Sequence, residues 1–435
     1  MKHRFLLAVL PLVALLLLVS CINTDKIRDI LHLNNKPLTF EVYEQKAEVT
    51  GFSDDPEQEQ SLVLALSIPA ASGKRQEIIT KALIEIIKST AVARALGEPK
   101  GDDIKEVADN YVLKLKTDFR QLYEDMKRRN DFCGNLVLRI HCIYQNEACV
   151  VFYVEDAGSS FENDRSIELV VRLSDGHVMT NDEIAHIDRE DLKRLAKKCL
   201  GISLEADVEL DDKYALSVGP EGLLLNSDLH YTKEYVIPYE AAEPFLTDEG
   251  KMLLTAKRYD NPEDGKPSEP IKGDLALYEL RGPVQQLEIV KDGLVSVFTF
   301  DKEGRLTKEK HVIGGDMVFE ELTFGRTDRD AEGRGAVRHI SEIAKEINTF
   351  DEYGRRIKME YKVNGRLEFA EVYYYNSQGL LYKMNSLSTV HSKYYSINTT
   401  KYFDYKTDSF DNWTERRSTV STEGGVEKRN ITYYQ

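Results

Sequence analysis

The sequence predicts an α+β domain, an antiparallel sheet with helices, followed by an all-β domain of hairpin repeats laid out as a meander. Three observations predict it. Residues 40–256 mix apolar patterns of strand period and helix period. Residues 257–274, KRYDNPEDGKPSEPIKGD, hold three prolines, two glycines and many charges, a linker composition. Beyond them, aromatic-rich strands alternate with turns that begin on Asp or Asn and end on Gly. The expected organisation is a leader over 1–20, a tether over 21–39, the α+β domain over 40–256, a linker over 257–280 and the repeat domain over 281–435.

Within the first domain, FEVYEQKAEVT alternates as a strand and SLVLALSIPAA reads as a second, more buried one. GKRQEIITKALIEIIKSTAVARAL carries Ile78, Ile79, Leu83, Ile86 and Ile87 at helical spacing. A second amphipathic helix follows in DIKEVADNYVLKLKTDFRQLYEDMKRR, then strands near 135–144, 148–156 and 166–173. Thr180-Asn181 is a natural helix cap with acidic residues in the first turn after it, where they complement the positive end of the helix dipole. A hairpin is expected around Gly219-Pro220-Glu221-Gly222, and EYVIPYEAAEPFLTDEGKMLL runs strand into helix.

The start of the chain speaks about location. Lys2 and Arg4 precede an apolar run, Phe5 to Val19, interrupted only by Pro11. A bilayer-crossing helix needs ~20 apolar residues, so this run suits a leader better than a span. Leu18-Val19-Ser20-Cys21 resembles the lipobox of bacterial lipoproteins. That resemblance implies cleavage before Cys21 and lipid attachment to its thiol, making residue 21 the membrane anchor. Ile22 is not the Asp associated with inner-membrane retention, and no acidic cluster signals surface export. The expected location is the bacterial cell envelope, on the outer membrane facing the periplasm.

The formal charge of -16 becomes -18 without Lys2 and Arg4. From Arg281 onward 24 basic residues balance 24 acidic ones, so the whole excess lies in the first part. An acidic front half argues against a nucleic-acid partner and favours a basic one. Besides Cys21 there are Cys133, Cys142, Cys149 and Cys199. A hairpin turning at Gln145-Asn146 would set Cys142 opposite Cys149, within disulfide reach. Buried free thiols are the alternative. No Cys-x-x-Cys and no His pair at ligand spacing appears, so neither a metal nor a cofactor is expected.

SIPAASGKRQEIITKALIEII, LRIHCIYQNEACVVFYVEDAG, IELVVRLSDGHVMTNDEIAHI and VIPYEAAEPFL together resemble the RsiV-like extracytoplasmic domain. Ser174-Asp175-Gly176-His177 and Ile237-Pro238-Tyr239 carry its landmarks. The family occurs in anti-sigma factors that sense lysozyme and in many bacterial lipoproteins, which implies a basic protein such as a lysozyme as partner. In this chain Ala157-Gly158-Ser159-Ser160-Phe161 replaces the family's glycine-rich motif.

In the second domain the turns Asp301-Lys302-Glu303-Gly304, Asp351-Glu352-Tyr353-Gly354 and Asn376-Ser377-Gln378-Gly379 share one plan, and Phe410-Asp411-Asn412-Trp413 is a degenerate copy. Tighter turns are expected at Asp292-Gly293 and Asn364-Gly365. These hairpins resemble YD/RHS-type repeats. Their small number and irregular spacing favour an open, curled meander over a closed shell.

Chemistry is harder to find. No Walker loop, His-Glu-x-x-His or Gly-x-Ser-x-Gly occurs. His141 and Cys142 are neighbours in a strand and point to opposite faces, so they cannot act on each other. No catalytic residue is expected. Among Tyr373, Tyr374, Tyr375, Tyr394 and Tyr395, one face of the alternation would be exposed, so Tyr373, Tyr375, Tyr394 and Trp413 are candidates for a binding surface. The expected function is non-enzymatic: a lipid-anchored envelope protein that binds a protein or a glycan. An enzyme acting on envelope glycan or peptidoglycan, and a structural part of a surface assembly, are the alternatives.

Overall fold

The computed structural model describes residues 37–51, 60–128, 135–158, 165–199, 210, 214–227, 233–259, 271, 273–291, 294–313, 317–322, 327–329, 335–376, 379–388, 396–419 and 426–435. Cys21, the leader, most of the tether, Cys133, Tyr394, Tyr395 and the Asp292-Gly293 turn lie outside the described residues.

Strands β1 (Thr39–Gly51), β2 (Gln60–Ser72), β3 (Asn135–Gln145), β4 (Cys149–Gly158) and β5 (Arg165–Arg172) form one sheet in that order. The expectation of an antiparallel sheet needs correction, because β2 and β3 run parallel, with Val63 paired to Asn135. A parallel pair needs a long crossover. Helices α1 (Gln76–Lys88), α2 (Ala91–Leu96) and α3 (Ile104–Arg128) supply it and cover one face. Ile79, Leu83 and Ile87 of α1 and Val107 and Leu115 of α3 are buried against Leu62, Leu64, Leu138 and Ile140. Each such side chain contributes roughly 1.5–3 kcal/mol on burial.

The single helix expected over 73–96 is two. Thr90 breaks it by taking an extended conformation and accepting from Ala93 N, while the buried carboxylate of Asp156 accepts from Ala91 N at 2.8 Å. The Thr180 cap occurs as expected, with Glu183 accepting from Thr180 N at 2.8 Å at the start of α4 (Asn181–Ile184).

The other face of the sheet meets α5 (Arg189–Cys199), a three-stranded sheet and two further helices, α6 (Tyr239–Ala242) and α7 (Asp248–Thr255). That small sheet consists of β6 (Ala215–Gly219), β7 (Gly222–Asn226) and β8 (Glu234–Pro238). Cys149, Val151 and Val170 from the first sheet share a core with Val218, Leu225 and Ile237 from the second.

Of the two readings of Cys142 and Cys149, a bridge or buried free thiols, the structure has the second: Cys142, Cys149 and Cys199 are free. Asn146 makes the turn, its side chain accepting from Ala148 N and Cys149 N at 2.8 and 2.9 Å. Cys149 is therefore consumed by the turn, and Cys142 faces Phe152 across the ladder.

The C-terminal part is one antiparallel sheet of thirteen strands among the described residues. They are β9 (Val284–Lys291), β10 (Leu294–Phe300), β11 (Leu306–Ile313), β12 (Met317–Leu322), β13 (Thr327–Arg329), β14 (Gly335–His339), β15 (Ala344–Phe350), β16 (Arg356–Val363), β17 (Arg366–Tyr375), β18 (Leu381–Ser388), β19 (Ser396–Thr407), β20 (Trp413–Ser418) and β21 (Val426–Tyr433). The spatial order runs from β12 back to β9, then from β21 back to β13. The two edges, β12 and β13, are thus neighbours in sequence, separated by residues 323–326. That connection spans at most about 19 Å. Thirteen strands spaced ~4.8 Å apart make a perimeter of about 62 Å, so the sheet must curl round until its edges approach. Arg338 on β14 accordingly reaches Glu309 on β11 at 2.7 Å. The curled meander expected from sequence is wrapped further than expected, into a barrel-like shell whose edges, β12 and β13, are not paired with each other.

Four five-residue turns close one end on a common pattern. Asp301 and Asp351 each accept, through Oδ1, from the backbone N–H groups two and four residues on, at 2.9–3.0 Å. Asp408 does the same towards Phe410 and Asn412, and Asn376 accepts from Leu380 N at 3.0 Å. The fourth residue is left-handed in each: Gly304, Gly354 and Gly379 at φ 77°, 74° and 74°, and Asp411 at φ 61°. Only glycine adopts that conformation without steric cost. Asp411→Gly is therefore expected to stabilise the barrel by about 0.5–1 kcal/mol, read as a higher denaturation midpoint. The 3.7 Å contact of the exposed Asp411 with Arg281 is too weak to reverse the sign.

The end of the expected linker is also reassigned. Residues 273–278 form a 3-10 helix, and Asp274, Leu275, Ala276, Leu277 and Leu280 are buried inside the shell. This plug is fastened to the turns. Ile271 N donates to Tyr353 O, Asp274 N to Gly304 O, and Arg281 N to Asn412 Oδ1, at 3.1, 2.9 and 2.7 Å. An apolar cluster of Leu275, Leu287, Phe298 and Phe300 seals one side. Ala276, Leu277, Ala336 and Phe350 seal the other.

Candidate functional site: the lumen of the barrel

Above the plug the shell surrounds a half-open cavity of ≈ 400 Å³. The plug provides Leu277, Tyr278 and Glu279 as its floor, and the strands project charged and aromatic side chains into it. Five carboxylates (Glu279, Glu309, Glu346, Glu371, Glu427) meet five cations (Lys291, Arg338, Arg356, Arg416, Arg429). Strand alternation puts them there: Glu427 and Arg429 are buried on β21, while Lys428 between them and Asn430 after them are exposed.

The charges are organised in two groups. Arg338 lies 2.7 Å from Glu309 and 3.8 Å from Glu346, and His311 Nε2 lies 2.8 Å from Glu309. On the opposite arc, Arg416 Nε donates to Glu427 Oε2 at 2.7 Å and its Nη1 lies 3.9 Å from Glu279. Burial works against the charge of Arg416, but Tyr405, Glu427, Tyr402 and Glu279 outweigh it and hold its pKa above the ordinary value. Burial also works against the Glu427 carboxylate, yet Arg416 and Lys291 keep its pKa below the usual carboxylate range.

Aromatic rings fill the space between. The Arg356 guanidinium lies 4.4 Å from the Tyr373 ring, and Arg416 lies 3.8 Å from Tyr402 and 4.0 Å from Trp413. Tyr373 donates its hydroxyl to Glu371. Tyr375 and Trp413 donate to Glu279 at 3.2 and 3.1 Å. Burial pushes the phenols of Tyr373, Tyr375 and Tyr402 upward, so at neutral pH all three keep their protons.

Two of the four aromatic residues singled out from the sequence, Tyr373 and Trp413, therefore come together on the wall of the cavity, and Tyr375 bonds Glu279 without lining it. Trp413 is 2% exposed and Tyr373 5%. They line a lumen and not an outer surface, because the wrapped sheet turns that face inward. Tyr374 points the other way and packs its ring 4.4 Å from Lys383. The charged half of the lumen went unrecognised. The available signal was the phase of the charges with the aromatics, as in Glu427-x-Arg429-x-x-x-Tyr433, whereas Arg416, three residues after Trp413, shares its side only because the β19–β20 register shifts there.

A second polar cluster joins the barrel to the first domain. Glu234 on β8 is fully buried and accepts from Lys383 Nζ and Lys401 Nζ, each at 2.7 Å. Lys401 also pairs with Glu168, Ser217 donates to Glu168, and Tyr382 donates to Glu221. A cavity of ≈ 280 Å³ lies beside them. Cys142 lines it, but burial drives its thiol up to about 12, so it is no nucleophile at neutral pH. His141 stacks on Phe403 at the same junction, 4.0 Å between ring centroids. Among the described residues no group of three His, Cys, Asp or Glu side chains is arranged to hold a metal ion.

No known protein family and no curated protein matches the sequence. Among solved structures, a DUF3298 family member from Bacteroides fragilis is similar at 14% identity. The match covers 50% of this chain and 98% of that one, with a TM-score of 0.34. A DUF3298 family protein from Pseudomonas aeruginosa is similar at 11% identity over 49% of this chain and 96% of that one, with a TM-score of 0.29. Bacterial DUF3298 proteins are thus structural neighbours for about half of the chain.

Proposed function

We propose that the chain is a non-enzymatic, lipid-anchored protein of the bacterial cell envelope that binds a glycan in the lumen of its barrel. The observation that carries this reading is the lining of the cavity, where aromatic rings alternate with charges, most of them bonded to one another. Sugar ligands are held by aromatic faces and by fixed polar groups. A glycosidase would instead need one carboxyl group kept protonated and a second at a set distance. Glu427 is held ionised by Arg416, and Glu279 is occupied by Tyr375 and Trp413. The RsiV-like and YD-like resemblances fit an envelope protein, with Cys21 as its anchor on the periplasmic face of the outer membrane.

Two measurements test this. The wild-type chain expressed in a Gram-negative host should incorporate labelled fatty acid and fractionate with the outer membrane, and Cys21→Ser should do neither. Label retained in Cys21→Ser would remove the anchor. The soluble form should bind immobilised envelope glycan saturably and leave its chain length unchanged. New reducing ends would replace binding with hydrolysis.

A further inference from the structure

Every carboxylate oxygen near Trp413 is already engaged. Glu279 Oε1 accepts from Tyr375 and Oε2 from Trp413 Nε1, while Glu427 Oε1 accepts from Lys291 at 2.6 Å and Oε2 from Arg416. Arg429 is left over. It lies on β21 beside Glu427, is 7% exposed, and lines the cavity. Its Nε and Nη1 are buried with no hydrogen-bond partner. The guanidinium stacks 3.5 Å from the Trp413 ring centroid, which fixes its plane without using its donors. Burial lowers its pKa to about 9, with Glu279 pulling the other way, so Arg429 is cationic at pH 7.

Buried donors of a charged group cost free energy unless something accepts from them. No group of the protein accepts from Arg429 Nε or Nη1, and each oxygen of Glu279 and Glu427 already accepts from another donor. An anion entering the cavity would supply an acceptor. We propose that Arg429 anchors an oxyanion site in the lumen, filled by the carboxylate of an acidic sugar whose ring lies along the aromatic wall. This rests on the lumen being the ligand site, and it adds the charge and the anchoring residue. An inorganic oxyanion offers the same acceptor atoms without a ring to stack, so the two sources separate by affinity. The volume, ≈ 400 Å³, falls in the range of small-ligand pockets.

Trp413 is the only tryptophan of the chain, so its fluorescence reports on this site. The purified soluble protein would be titrated at constant ionic strength with glucuronate, glucose, phosphate and sulfate. Glucuronate should change Trp413 emission saturably, inorganic anions more weakly, and glucose not at all. Arg429→Gln should weaken glucuronate at least about tenfold, and Arg429→Lys should recover part of that loss. Circular dichroism of both variants guards against misfolding. If Arg429→Gln fails to fold, the comparison of wild type with Arg429→Lys decides. A saturable response to glucose with none to glucuronate would overturn the oxyanion site and leave the lumen as a sugar site. Equal affinity of wild type and Arg429→Gln would overturn the role of Arg429. No response to any of the four compounds would overturn the oxyanion site, whatever the immobilised-glycan assay reads.

Discussion

Glu234→Leu is expected to cost about 3–5 kcal/mol and to split unfolding into two transitions. Glu234 sits at the end of β8 with no exposed surface, and its carboxylate is shared between Lys383 on β18 and Lys401 on β19. Its backbone is used as well: its N–H donates to Thr399 Oγ1 at 3.0 Å and its carbonyl accepts from Asn385 at 3.1 Å. The two lysines are 1% and 3% exposed. Burial acts to lower the pKa of Lys383, but Glu234 and Glu221 outweigh it and raise the pKa, so this ammonium is charged because of its partners. Removing Glu234 leaves the Lys383 ammonium with only the more distant Glu221, 3.8 Å away, and leaves Lys401, whose pKa burial already pushes down, with Glu168 alone. Breaking one side of a buried pair costs far more than replacing both sides. Glu234→Leu with Lys383→Met should therefore recover most of the loss, and a double-mutant cycle gives the coupling. Guanidinium denaturation followed by Trp413 fluorescence reads the barrel, and far-UV circular dichroism reads the helices of the first domain. A single transition in Glu234→Leu, less than about 1 kcal/mol below wild type, would show that these charges do not hold the two parts together.

The same residues show how far the sequence could be read. Local structure was legible where one residue type has one physical use. Asp301, Asp351 and Asn376 announce turns because their side chains bond the backbone that follows, and Gly304, Gly354 and Gly379 supply the left-handed residue. Even the degenerate copy at Asp411 could be recognised. Strand direction was not legible, since alternation in β2 and β3 is the same whether they run parallel or antiparallel. Closure of the barrel depends on the β9–β21 pairing, between segments more than a hundred residues apart, and no local pattern encodes it. The plug was hidden because proline, glycine and charge dominate residues 257–274, although Leu275, Ala276 and Leu277 follow directly. The site was half legible. Aromatic alternation pointed to Tyr373 and Trp413, but charged residues at strand positions read as a solvated face. Lys383, Lys401, Arg416 and Arg429 look the same in sequence as Lys406 and Lys428, which are exposed.

Acidification should loosen the same junction through His141. Stability is expected to fall by about 1.4 kcal/mol per pH unit as pH drops from about 6 towards 3, beyond the fall seen in His141→Phe. His141 is 4% exposed, its Nε2 has no hydrogen-bond partner, and its ring stacks on Phe403 of β19 at an interplanar angle of 26°. Burial first, then Arg417 from the barrel and Arg139 from its own strand, hold its pKa down at about 3. The carboxylates nearby are already spoken for: Glu155 pairs with Arg139 at 2.9 Å, and Glu44 pairs with Arg417 at 2.5 Å. Asp404, 3.8 Å from Arg417, has its own pKa raised by burial, so it offers the imidazolium little charge in acid. Between the two pKa values the unfolded chain binds a proton that the folded chain refuses. The stabilisation by neutral His141 is therefore complete above about pH 6.5 and is lost as pH falls towards 3. Phenylalanine keeps the ring stacked on Phe403 and removes the proton, so the variant should match wild type above pH 7 and exceed it increasingly below pH 6. Denaturation midpoints measured from pH 8 to pH 4 give the difference directly, and carboxylates that titrate in both proteins cancel from it. Parallel curves for the two proteins would mean that His141 titrates as freely in the fold as out of it, and that the stacked ring carries no linkage to pH.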